Sequence, residues 1–174
     1  YSLGQVIHNP EVIRKLEKEN LCTINSLDNI DRAATVILPT HGSPRRLLNK
    51  AKNKNLRLID VTCPYVSLVQ KICNKLHREG FKIIIVGERN HPEIKALLDL
   101  APNALTIESL SDIKENVFSY RKIGIISQTT QTKDIFFKVV NKILQKNPLV
   151  KEVRIFNTIC LDTTQRQDEV KKLA

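Results

Sequence analysis

At 174 residues, with 28 Lys+Arg against 18 Asp+Glu and a formal charge of +10, the sequence can bury a core of one or two lobes and favours anionic partners. Its longest apolar runs, such as Ile83-Ile84-Ile85-Val86, fall far short of the roughly 18 residues a membrane span needs, and no secretory signal pattern is present. Cysteines at 22, 63, 73 and 160 are too irregular for a secreted disulfide framework. The absence of Met and the opening on Tyr1 read as a fragment or processed product of a soluble, cytosolic protein. A basic run from Arg45-Arg46 through Lys50, Lys52, Lys54 and Arg57 contains no acid and no aromatic residue. It therefore reads as a solvated helix face, and nucleic acid ranks last among the partners.

In chain order, Asn9-Pro10 opens a helix whose apolar stripe is Val12, Ile13 and Leu16. Cys22 falls in a strand-like stretch, Leu21 to Ile24. Thr35 to Leu38 is a predicted strand followed by Thr40-His41-Gly42, and Ser43-Pro44 opens a second helix with Pro at its first position. Leu56 to Val61 is a strand ending at Thr62-Cys63-Pro64. The next helix carries Val66, Val69, Ile72, Cys73 and Leu76 on one face and stops at Gly80. Phe81 to Val86 is a buried-type strand, with His91-Pro92-Glu93 soon after. Lys122 to Ser127 is a strand ending at Gln128-Thr129-Thr130, and Ile135 to Leu144 an amphipathic helix. Val153 to Ile159 is a last strand, ending at Cys160 before a short polar helix. Strands alternating with helices define an α/β fold with parallel strands and crossover helices.

His41, Cys63, Glu93, Thr129 and Cys160 each fall just beyond the carboxyl end of a predicted strand, where open α/β sheets place their ligands. The pattern points to one composite site. A second pattern suggests a repeat: Asp60-Val61-Thr62-Cys63 followed by Pro64 resembles Asn157-Thr158-Ile159-Cys160 followed by Leu161, a strand, a Cys, then a helix. Two thiols from two equivalent lobes suggest a shared metal centre, with a third thiol implied upstream of Tyr1.

Each residue also has a plainer reading. Cys63 and Cys160 are ligands or small buried residues, and their matched setting favours ligands. Cys73, among apolar helix positions, belongs to the core. His8, His41 and His91 sit beside helix starts, where one His is ordinarily a structural hydrogen-bonder but three favour anion binding or proton transfer. Glu93 is a general acid or a first-turn complement to the helix dipole, and the residues alone leave both open. Thr129 and Thr130 are caps or a proton relay.

The segments Ile7-His8-Asn9, Thr40-His41-Gly42, Asp60 to Pro64, His91-Pro92-Glu93, Gln128-Thr129-Thr130 and Asn157 to Cys160 with Thr163-Thr164-Gln165-Arg166-Gln167 occur in that order. On these motifs the chain resembles the 4-hydroxy-3-methylbut-2-enyl diphosphate reductase (LytB/IspH) family over essentially its whole length. Gln165 departs from the Asn or Glu usual at its position. The resemblance implies a trefoil of three small parallel-sheet α/β lobes around a [4Fe–4S] cluster. Positions 1–62 would then be the remainder of the first lobe, 63–159 the second, and 160–174 the start of the third. It implies metal ligation by Cys63 and Cys160, catalysis by Glu93 and Thr129, and contacts from His8, His41, His91 and Thr129 to an allylic diphosphate substrate. Reductive dehydroxylation would give isopentenyl and dimethylallyl diphosphate in isoprenoid biosynthesis, with ferredoxin or flavodoxin as electron donor. The implied location is bacterial cytoplasm or plastid stroma. The alternatives are a non-catalytic diphosphate-binding module and a zinc site built from Cys63, Cys160 and His.

Overall fold

One strand order occurs twice. In the computed structural model, which describes residues 1–174, the chain divides into a first unit, Tyr1–Ser67, and a second, Leu68–Ala174. The first unit contains β1 (Ser2–Leu3), α1 (Pro10–Lys18), β2 (Thr23–Ile24), β3 (Thr35–Leu38), α2 (Arg45–Asn53) and β4 (Arg57–Asp60). Its strands are all parallel in the order β2-β1-β3-β4. Then come α3 (Pro64–Arg78), β5 (Lys82–Val86), α4 (Pro92–Leu100), β6 (Leu105–Ile107), two short 3-10 turns, β7 (Lys122–Ser127), α5 (Lys133–Lys146), β8 (Glu152–Ile155) and α6 (Leu161–Leu173). The second sheet is again parallel, in the order β6-β5-β7-β8. The expected α/β class with repeated parallel lobes is what the structure has.

Period-two alternation explains how the second sheet is covered on both faces. Ile83 and Ile85 point to one side with Val69, Cys73 and Leu76 of α3 and Ile94 and Leu97 of α4. Ile84 and Val86 point to the other side with Phe136, Val139 and Ile143 of α5. Cys73 is fully buried there, its thiol 3.8 Å from the Leu97 carbonyl and pushed up to about 12 by burial, as its place in the apolar stripe predicts. Gly124 lets α3 approach: a Cβ on it would lie 2.7 Å from Leu76 Cδ1. In the first unit Leu3, Leu27, Val36, Leu38, Ala51 and Leu56 form the core.

Helix ends follow local chemistry. Asn9 caps α1 by accepting from the Glu11 and Val12 amides. Gly80 ends α3 at φ 76°, with its own amide on His77 O and that of Phe81 on Leu76 O. Asn20 and Asn55 end α1 and α2 in the same left-handed conformation, at φ 67° and 55°, with the same pair of bonds.

Several expectations need correction. Pro44 is itself the N-cap of α2 rather than its first helical residue, and Ser43 makes no cap bond. Cys22 precedes β2 and is exposed; only its carbonyl joins the sheet, accepting from Ser2 N. The last strand is shorter than Val153 to Ile159: β8 stops at Ile155 because Phe156 N to Ile125 O is its final ladder bond. The basic run is not wholly solvated either. Lys50 pairs with Asp28, and Lys54 Nζ donates to the carbonyls of Leu27, Asp28 and Ile30, tying down the loop before β3.

Candidate functional site

In each sheet the chain leaves the central pair of strands in opposite directions, which opens a crevice at their carboxyl ends. That crevice lies between β1 and β3 in the first unit and between β5 and β7 in the second. Of the sequence-predicted residues, His8 and His41 lie on the loops of the first and His91, Glu93 and Thr129 on those of the second, whereas Cys63 and Cys160 follow the edge strands β4 and β8.

In the second unit His91 is the N-cap of α4, Pro92 its first residue and Glu93 its second. Glu93 is only 1 % exposed, and both its oxygens are engaged by one residue across the crevice. Thr129 N donates to Oε1 at 2.8 Å and the Thr129 hydroxyl donates to Oε2 at 2.7 Å. Burial pushes the Glu93 carboxyl above the usual carboxylate range, while these two hydrogen bonds oppose the shift. Of the two readings the sequence left open, simple dipole complementation does not account for this geometry, because a first-turn Glu serving that purpose stays in water. Thr129 and Thr130 are not the caps of α5 either; Thr132 is, accepting from Ile135 N. His91 Nδ1 accepts from Glu93 N at 3.2 Å, which places the ring proton of the neutral imidazole on Nε2.

Gln128 braces this crevice, a role not visible in the sequence. Its Oε1 accepts from Glu88 N at 2.9 Å and its Nε2 donates to the Thr130 hydroxyl at 2.6 Å. Gly87 makes room for it, since a Cβ there would lie 2.8 Å from both Gln128 Cβ and Ile94 Cδ1.

In the first unit the crevice loops carry His8 and His41, whose rings stack with centroids 5.1 Å apart. His8 is exposed and His41 half-buried.

The two thiols sit in turns of one design. Before Cys63, Asp60 Oδ1 accepts from Thr62 N at 2.9 Å; before Cys160, Asn157 Oδ1 accepts from Ile159 N at 3.3 Å. Cys63 N donates to Thr40 O and Cys160 N to Thr129 O, each at 2.8 Å. The carbonyl of each then starts a helix by accepting from Ser67 N and Thr164 N respectively. Both thiols are half-buried and free of disulfides, at the N-termini of α3 and α6. Soft thiols held by rigid turns at helix starts fit an iron–sulfur cluster or another thiophilic metal. An Asx residue three positions before each Cys was the available sequence signal for these turns.

A duplicated parallel unit with a buried acid–hydroxyl pair at one crevice and a thiol turn beside each sheet defines an α/β protein with its reactive side chains at the carboxyl ends of its strands. Comparison narrows it. The LytB protein family model matches residues 1–174, and the chain belongs to that family. A 4-hydroxy-3-methylbut-2-enyl diphosphate reductase of Dictyoglomus turgidum is 42 % identical over 175 residues, covering 100 % of this chain and 60 % of the relative. One of Aquifex aeolicus is 39 % identical over 179 residues, with the same shares covered. A solved structure of (E)-4-hydroxy-3-methyl-but-2-enyl diphosphate reductase, described as the terminal enzyme of the non-mevalonate pathway, superposes with TM-score 0.84 at 37 % identity over 99 % of this chain and 61 % of that one. The corresponding Plasmodium falciparum structure gives 0.89 at 29 % identity, over 99 % and 55 %. The chain thus spans about 60 % of the length of the curated relatives it matches.

Proposed function

We propose that this chain is the part of a reductase that acts on 4-hydroxy-3-methylbut-2-enyl diphosphate, replacing its allylic hydroxyl by hydrogen to give isopentenyl and dimethylallyl diphosphate. The observation that carries the reading is the Glu93–Thr129 pair, buried at a topological switch point in a chain of the LytB family. Cys63 and Cys160 would each supply a thiolate to a [4Fe–4S] cluster, with further ligation from outside 1–174. When bound, that cluster supplies electrons and a Lewis-acidic iron for the departing oxygen.

The residues of this chain handle the protons and the anion. Burial keeps Glu93 in its protonated form to higher pH than a surface carboxyl. With the proton on Glu93, its O–H donates to Thr129 Oγ1 and the Thr129 hydroxyl turns outward, passing a proton to the substrate oxygen. The C–O bond breaks and the oxygen leaves as water. Two electrons and a second proton, added at either end of the allyl fragment, complete the balance. His91, donating through Nε2, and the His8–His41 pair are suited to the diphosphate, aided by the amides at helix N-termini. In this reading 1–62, 63–159 and 160–174 belong to successive lobes, ferredoxin or flavodoxin supplies the electrons, and the bacterial relatives favour a cytoplasmic location.

The test is anaerobic purification of the full-length protein, with iron and sulfide analysis and an assay on the allylic diphosphate. About four iron and four sulfide with turnover is the expected result. Zinc in place of iron, with no turnover, would overturn the reading in favour of a zinc site.

A further inference from the structure

The second unit contains a hydroxyl clip with no counterpart in the first. Matching the two thiol turns residue by residue pairs Leu38 with Ser127 and Val61 with Thr158. In the first unit β4 stays on the ladder through Leu38–Asp60, and Val61 N then reaches Leu38 O at 3.4 Å. In the second, the β7–β8 ladder ends at Ile125–Ile155, two residues sooner relative to the Cys. Thr158 Oγ1 fills the gap. It donates to Ser127 O at 2.6 Å, accepts from Ser127 N at 2.8 Å, and lies 3.1 Å from Ser127 Oγ. Ser127 is fully buried and Thr158 8 % exposed.

We propose that Thr158, through Ser127, is a positioning residue that fixes the Cys160 turn against the Thr129 loop. Ser127 lies two residues before Thr129 and Thr158 two before Cys160, so one hydroxyl locks both chains immediately ahead of the groups that matter. Beyond it the Thr129 loop is tied to this turn by Cys160 N to Thr129 O at 2.8 Å and to α6 by Gln167 Nε2 to Thr130 O at 3.4 Å, so ahead of the turn the clip is what stops the two chains pivoting. Apolar Leu38 and Val61 do without a clip because their strands remain paired up to the turn. The role of Cys160 as a ligand rests on the proposed function; the clip itself rests on geometry alone.

Amide hydrogen exchange and low-temperature EPR on the full-length protein test it, using Thr158→Val, Thr158→Ser and, as a control, Asn147→Ala, which removes a bond to Tyr120 O at the opposite end of β7. Thr158→Val should speed exchange of the Cys160 amide about tenfold, leave the Ile84 and Ile125 amides unchanged, and alter the EPR signal of the reduced cluster. Thr158→Ser should restore both, and Asn147→Ala should produce neither. If Thr158→Val does not fold, Ser127→Ala should still give a smaller, local acceleration. Unchanged Cys160 exchange, or the same pattern from Asn147→Ala, would overturn the proposal. Faster Cys160 exchange in a protein that binds no iron would sustain the clip and sink the cluster reading instead.

Discussion

In the first unit the crevice between the central strands is bordered by the stacked rings of His8 and His41, whereas in the second it is bordered by a carboxyl buried on a threonine. The backbones are alike. Both α1 and α4 begin Pro-Glu, with Glu11 and Glu93 as the second helical residue. Glu11 is exposed, and Glu93 is covered and doubly hydrogen-bonded. The same helix start therefore yields an exposed acid beside the helix N-terminus in one copy and a buried, doubly hydrogen-bonded acid in the other. What separates them is the residue facing across the crevice and the depth of cover, not sequence position within the helix.

The sharpest break of that comparison is a matched pair of variants in the full-length protein. Glu93→Gln should reduce kcat by about 100- to 10,000-fold with cluster content intact, and Glu11→Gln should leave kcat unchanged. Equal losses, or none, would show that the burial difference has no catalytic meaning. Next comes packing: Gly124→Ala should destabilise the second unit by about 1–3 kcal/mol, read from the denaturation midpoint, because its methyl meets buried Leu76.

The pH dependence sharpens the comparison further. A carboxyl whose folded pKa is raised favours the folded state fully below the ordinary carboxylate range, and that contribution is lost as pH rises through the raised value. Carboxyls held low, such as Asp28 and Asp112, set the opposite trend, so the effect is read as a difference: from acid to neutral pH the stability of wild type should fall relative to that of Glu93→Gln. Thr129→Val, lacking a bond that lowers the Glu93 pKa, should extend the fall to higher pH. The smallest effect is in the first unit, where Asn20→Gly should raise stability by about 0.5 kcal/mol by relieving a left-handed residue.

Long apolar strands and striped helices were legible in the sequence. Ile83 to Val86, Lys122 to Ser127, and Cys73 in its stripe need only period and composition to be read. The strands β1 and β6 were not, because two or three residues carry no period, and β2 showed only as the strand-like stretch Leu21 to Ile24; β1 and β6 exist through partners supplied by β3 and β5. α4 was visible only as a capped start, His91-Pro92. At the site, the motifs located Glu93, Thr129 and both cysteines at strand ends, but the burial of Glu93 depends on how loops close. The Ser127–Thr158 clip escaped for the reason that β8 looked longer than it is: Phe156 to Ile159 has the composition of a strand, yet a side-chain hydroxyl takes over the work of the ladder.

The interior thiol of Cys73 has a practical consequence. Wedged between α3 and α4, and held protonated by burial, it stays out of reach of alkylating reagents for as long as those two helices remain together. Its modification rate in a pulse-labelling experiment would then count the openings of the second unit, turning one native cysteine into a built-in gauge of how often that half of the molecule comes apart.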